Sequence, residues 1–161
     1  MNLQELFHMQ RELDRYIQSN RNVGESVFRK KVLALQVELS ELANETRCFK
    51  FWSTKGPSDK STLLEEYVDC IHFILSLGIE KGFESLEQWP EPIGEQDLTE
   101  LFLSAHQSIG RFAEQSSFEE YDNLWRTFGA LAKALGFSYG EVLAAYVEKN
   151  EINYKRQQQG Y

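Results

Sequence analysis

A chain of 161 residues is most simply one domain, spanning 1–161, and it is long enough to bury a core. Its 42% apolar content excludes a disordered chain. Its net charge of −8 argues against nucleic acid as a bulk partner and against an anionic membrane surface, while leaving room for a phosphate-bearing small molecule neutralised by metal ions.

Hydrophobic periodicity predicts six helices and no convincing strand, an all-α helical bundle. The first covers about Leu3 to Ser19, with Leu3, Leu6, Leu13 and Ile17 near one face. Asn20 to Gly24 is a break, and the second runs from about Glu25 to Arg47. Phe49 to Ser61 is a loop punctuated by Gly56-Pro57. The third is predicted to open at Thr62, where Thr62 and Glu65 have capping-box spacing, and to end near Gly82. Gly82 to Gly94, with Pro90 and Pro92, is a longer connection. The fourth covers about Glu95 to Glu114. The fifth opens on a Ser117/Glu120 box and ends at Gly136. The sixth opens on Ser138/Glu141 and runs to about Arg156, leaving a tail expected to fray. The N-terminus is charged throughout and is no signal peptide, and no apolar run approaches membrane-spanning length. Cys48 and Cys70, both placed in helical segments and lacking C-x-x-C spacing, fit a reducing cytoplasm.

The chemistry concentrates between Glu38 and Asp69. Glu38 and Glu41 stand at i, i+3 among Val32, Leu35, Leu39 and Leu42. Glu66 and Asp69 do the same among Leu63, Tyr67, Val68 and Ile71. On a helix, i and i+3 share a face. Such pairs are often only a solvated acidic face, but two of them on neighbouring antiparallel helices come face to face. Four carboxylates in apolar surroundings with little local cation point to a divalent metal. All-oxygen ligation favours Mg²⁺, with Mn²⁺ as a substitute, over Zn²⁺. Asp69 and His72 form D-x-x-H, but a di-iron bundle needs an E-x-x-H on each of two helices plus two further Glu, and no His follows Glu41 on the facing acidic helix.

Around this acidic centre are residues suited to a nucleotide. Lys50 and Lys55 are point charges for phosphate, and Trp52 offers a stacking surface, although a mobile loop with a core-packing Trp is the plainer reading. His72, one turn after Asp69, could stack on a base or cap the core. Lys149, Asn153 and Arg156 share a face of the last helix, which suits the helix dipole and also a phosphate.

Taken together, E-x-x-E, a loop and E-x-x-D resemble the all-α NTP pyrophosphatases, the MazG-like superfamily. Three further stretches, VELSELANETRCFKFWS, LLEEYVDCIHFILSLGIEKG and the tail K-x-x-x-N-x-x-R-Q…G-Y, resemble the dimeric dUTPases within it. Gln10-x-x-Leu13-Asp14 is similar to that family's Q-x-x-L-N, with Asp14 in place of Asn. The region from about Phe83 to Tyr146 carries no mapped motif. The resemblance implies Mg²⁺-dependent hydrolysis of dUTP, and of dUDP, to dUMP, with a metal-bound water attacking the phosphate chain. It implies Glu38, Glu41, Glu66 and Asp69 as metal ligands, with Glu38 or Glu41 orienting the water. It implies Gln10, Trp52, His72 and Asn153 around uracil and deoxyribose, Lys50, Lys55, Lys149, Arg156 and Tyr161 on the phosphates, and a homodimer. Two other functions stand beside it: a MazG-like pyrophosphatase for another or modified nucleotide, and a helical interaction protein with merely solvated acidic faces.

Overall fold

A computed structural model of the chain describes residues 2–21, 26–94 and 97–160, with the side chain of Arg21 excepted. Six helices follow one another: α1 Gln4–Arg21, α2 Phe28–Thr46, α3 Lys60–Lys81, α4 Leu98–Gln115, α5 Phe118–Ala134 and α6 Tyr139–Gln158. Among the described residues the only β pairing is an isolated bridge between Asn2 and Gln88. The chain is an all-α bundle, and no helix among these residues is long and apolar enough to cross a membrane.

α3 is the axis. Leu63, Tyr67, Val68, Ile71, Ile74, Leu75 and Leu77 are buried over a broad arc of its surface, so it needs neighbours on several sides. It packs against α1, α2, α5 and α6. α2 runs antiparallel to it: Lys31 near the start of α2 pairs with Glu80 near the end of α3, and Glu45 near the end of α2 bonds Ser58 just before α3. α4 and α5 form a hairpin against this layer, anchored by the Tyr67 hydroxyl donating to the Phe128 carbonyl at 2.7 Å. Gly78 is required where α5 crosses α3, because a Cβ there would lie 2.1 Å from the Tyr121 hydroxyl oxygen. Gly82 ends α3 in the left-handed region at φ 74°, satisfying the Gly78 and Ile79 carbonyls.

The caps refine the sequence-based boundaries. Ser138 and Glu141 form the full capping box. At Ser117 only half of the predicted box exists: its side chain accepts from the Glu120 amide, while the Glu120 carboxylate pairs with Arg111. α3 begins at Lys60 behind Asp59 in extended backbone, so Thr62 lies inside the helix and is not its cap. α6 continues two residues past Arg156, shortening the expected frayed tail. The predicted starts of the second and fourth helices at Glu25 and Glu95 lie outside the described residues. Cys48 sits in the turn after α2 and not in a helix, and Cys70 is buried in α3; both thiols are free. The connection after Gly82 is packed, not loose. Trp89 is buried against Trp125, and its indole N–H donates to the Trp125 carbonyl at 3.1 Å.

Candidate active site

The antiparallel α2–α3 pair sets the acidic cluster. Apolar residues of α2 at 32, 35, 39 and 42 face α3, which leaves Glu38 at the seam. Glu66 and Asp69 occupy the same edge of α3. One carboxylate oxygen from each of Glu38, Glu66 and Asp69 lies within 4.8 Å of the other two. Glu41 is exposed and outside this trio. It lines a shallow depression together with Glu66, while Glu38 and Asp69 line a separate cavity of about 400 Å³. The cluster therefore forms a ridge between two hollows.

Crowding of like charge shows in the acidities. Burial, with Asp69, Glu41 and Glu66 nearby, pushes the Glu38 carboxyl up to about 7. Glu66 is raised by burial and by Asp69 and Glu41. Burial raises Asp69 as well, against the downward pull of Lys149. Here the sequence expectation of little local cation is corrected. The Lys149 ammonium, on α6, lies 2.6 Å from Asp69 Oδ2 and 2.9 Å from Glu65 Oε1, and the residue is buried. Burial alone would lower the Lys149 pKa, but the two carboxylates outweigh it and hold it above its usual value. Three carboxylate oxygens at this spacing suit a hard cation such as Mg²⁺, which would relieve their repulsion.

The cavity beside the cluster lies among α1, α2, α3 and α6 and is lined by Gln10, Asp14, Lys31, Glu38, Asp69, His72, Asn153 and Arg156, among others. Its wall is a polar network. The Tyr146 hydroxyl donates to Gln10 Oε1 at 2.9 Å, and His72 Nδ1 lies 2.7 Å from the same oxygen. An amide oxygen can only accept, so His72 donates from Nδ1. Gln10 Nε2 donates to Asp14 Oδ1 at 2.8 Å, and the Ser76 hydroxyl donates to Asp14 Oδ2. The His72 ring stacks on Tyr146 with centroids 4.1 Å apart. Burial, above all, holds His72 down to about 3, so it is neutral at physiological pH.

A family model described as dUTPase matches residues 2–161, essentially the whole chain. The chain belongs to the dUTPase family. No curated protein matches it with significance. For a dUTPase-family chain the general activity is hydrolysis of dUTP, and a cavity of this size next to an acidic cluster is a place for a nucleotide.

Against the sequence-based site of such an enzyme, the geometry divides the residues. Glu38, Asp69, Gln10, His72, Asn153 and Arg156 line one cavity. Glu66 completes the acidic trio, with Glu41 beside it. Lys149 lies on the far side of Asp69, in a different depression, engaged with carboxylates and not facing the cavity. Trp52 is 65% exposed, with its ring against Phe49 and Phe51 of its own loop. Lys50 donates to Asn44 at 2.6 Å. Neither these two nor Lys55 lines the cavity of the single chain. Tyr161 lies outside the described residues. Lys31, Ser76 and Tyr146 were missed by sequence reasoning. Helical spacing could have found them: Lys31 is two turns before Glu38, Ser76 one turn after His72, and Tyr146 one turn before Lys149.

Proposed function

We propose that the chain is a Mg²⁺-dependent dUTP diphosphatase. It converts dUTP to dUMP and pyrophosphate, and dUDP to dUMP and phosphate, and so limits incorporation of uracil into DNA. The observation that carries this reading is the acidic trio at the mouth of a nucleotide-sized cavity in a chain matched end to end by the dUTPase family.

The donor set fits Mg²⁺: all oxygen, close-spaced, and held at raised pKa by burial first and by neighbouring carboxylates second. When bound, such an ion would gather phosphate oxygens, acidify the attacking water and stabilise charge on the leaving phosphate. Glu38, Glu66 and Asp69 would hold it. Glu41, left out of the trio but adjacent to it, is the carboxylate free to orient the water and accept its proton. Gln10, His72 and Asn153 would bind the base and sugar in the cavity. Gln10 and His72 already hold their partners before substrate arrives, which favours selectivity. Arg156 would fork onto phosphate oxygens from the same cavity. Lys149 would reach the phosphates only after leaving Asp69. Lys50, Lys55, Trp52 and Tyr161 would join on closure of the loop and tail, or from a second chain.

A homodimer is part of the proposal. Leu33 and Val37, one turn apart on α2, are 66% and 47% exposed, and Leu103 on the neighbouring α4 is 51% exposed. Large apolar side chains left in water on two packed helices suit a second copy. Light scattering tests it, and a one-chain mass at working concentration would refute it.

The deciding experiment is a panel of dUTP, dUDP, dCTP, dTTP and other deoxynucleotides assayed for released pyrophosphate or phosphate, with Mg²⁺ and with EDTA. Turnover of dUTP far above the rest, abolished by EDTA, is expected. Similar rates across the panel would mean a broader nucleotide pyrophosphatase, and no turnover of any would mean a binding protein.

A further inference from the structure

The segment between α2 and α3 has no helix of its own, yet hydrogen bonds tie it down, and several of them converge on Arg47. Arg47 caps α2 in the left-handed region at φ 58°, with its amide donating to the Ala43 carbonyl at 3.1 Å. Glycine is the ordinary residue for that conformation, because a Cβ is strained there. An arginine in that place points to a task for its side chain that offsets the strain. Its Nε donates to the Lys55 carbonyl at 3.1 Å, and its Nη2 donates to Ser53 Oγ at 2.7 Å. Ser53 Oγ also accepts from the Lys55 amide at 3.2 Å, and the Ser53 amide donates to the Lys50 carbonyl at 3.0 Å. The Lys50 amide in turn donates to the Arg47 carbonyl at 3.0 Å. One guanidinium thus closes the loop back onto the end of the helix that carries Glu38 and Glu41. Lys50 Nζ reaches Asn44, which lines the same hollow as Glu41 and Glu66, so the loop and the acidic cluster share one frame.

We propose that Arg47 is a positioning residue that clips residues 50–55 into one conformation, so that Lys50, Trp52 and Lys55 meet the nucleotide as a preformed unit. The inference rests on the reading of those three residues as contacts to base and phosphates. A loop that orders only on binding charges its ordering cost against affinity, and a preformed one does not. That cost is the same in the ground state and in the transition state, so loss of the clip raises KM and leaves kcat. Arg47→Gly separates side chain from backbone: glycine takes the left-handed conformation more readily than arginine, and only the clip is lost. Arg47→Lys keeps the charge but lacks the planar fork that holds Ser53 and the Lys55 carbonyl together.

The test is hydrogen exchange, read by mass spectrometry on peptides covering residues 48–58, in wild type, Arg47→Gly and Arg47→Lys, with thermal melts as the folding control. In Arg47→Gly the amides of Ser53 and Lys55 should exchange roughly tenfold faster or more, while those of α2 and α3 keep wild-type rates. Its KM for dUTP should rise roughly fivefold or more, with kcat within about twofold of wild type. Arg47→Lys should fall between the two in both measurements, and it decides the matter if Arg47→Gly melts well below wild type. Wild-type exchange rates in the loop of both variants would overturn the clip. Faster exchange with an unchanged KM, or with a loss confined to kcat, would overturn the preformed unit. If wild type fails to hydrolyse dUTP, the reading of the loop as a substrate contact falls with the kinetic claim, while exchange still decides whether Arg47 holds the loop.

Discussion

Lys149 Nζ sits 2.6 Å from Asp69 Oδ2, eighty positions earlier in the chain, so α6 supplies the cation for an acidic cluster built on α2 and α3. The same ammonium bonds Glu65 and is buried, so its removal takes from Asp69, beside Glu38 and Glu66, the cation that pairs with it among the described residues. Lys149→Met keeps the length of the side chain and removes the charge. In EDTA the variant should be less stable by roughly 1–3 kcal/mol, the scale of a hydrogen bond to a charged group. Mn²⁺ should then raise its melting temperature more than it raises that of wild type, because the ion relieves a larger repulsion. Differential scanning calorimetry with and without Mn²⁺ measures both. Were Lys149 only a phosphate ligand, the metal-free melts would coincide.

Glu38 makes stability depend on pH. Its carboxyl is raised from 4.5 to about 7, first by burial and then by Asp69, Glu41 and Glu66. In the metal-free protein the fold binds this proton more tightly than the unfolded chain does. The resulting stabilisation is complete below about 4.5 and is lost as pH rises through about 7. Glu38→Gln lacks the penalty. At pH 8 it should exceed wild type by on the order of 1 kcal/mol, a value discounted because Glu38 is partly solvated. At pH 4 the two should agree. Urea titrations in EDTA across that range give the comparison, and a constant difference would remove Glu38 as the titrating group. For the same reason, affinity for Mg²⁺ should climb as pH rises through about 7, since the ion must displace the proton.

The roles of Glu41 and Asp69 separate by measurement. Asp69 belongs to the trio whose oxygens converge, and Glu41 does not. Asp69→Asn should weaken Mn²⁺ binding, read by electron paramagnetic resonance, at least tenfold. Glu41→Gln should bind Mn²⁺ within a few-fold of wild type yet lose turnover by roughly 10²–10⁴, the usual worth of a general base. Intact turnover in Glu41→Gln would return the proton-accepting role to Glu38.

How far these features could be read in advance follows from their range along the chain. Helix identity and most caps are local: Ser138 with Glu141 announces a helix start because both partners lie within one turn. The four carboxylates were legible because each helix carries its two at i, i+3 and one loop joins the helices. Thr62 misled because the Thr62/Glu65 spacing recurs inside a helix that Asp59 had already begun. The Lys149–Asp69 pair and the Tyr146–Gln10 bond join helices far apart in sequence, and no period along the chain encodes either pairing. Trp89 was hidden for another reason. In a Pro-rich connection it has no helical neighbours to mark a face, yet it is buried on α5.

Arg156 gives the last prediction. It lies on α6 within the helix, one turn after Asn153, and lines the cavity together with Glu38 and Asp69. Its charge also lowers the pKa of Asp69, so it is near the trio before any phosphate arrives. A guanidinium can present two parallel N–H donors to a phosphate, whereas Lys offers a single point charge. Arg156→Lys should therefore keep the fold and the metal affinity but lose one of two donors, lowering kcat/KM for dUTP by roughly 10–100-fold, or about 1.4–2.8 kcal/mol. Arg156→Ala should lose more. Because α6 continues to Gln158, both changes fall inside an ordered helix, and circular dichroism and melting serve as controls. Steady-state kinetics on dUTP decide the matter: equal kcat/KM in wild type and Arg156→Ala would take Arg156 out of the phosphate site.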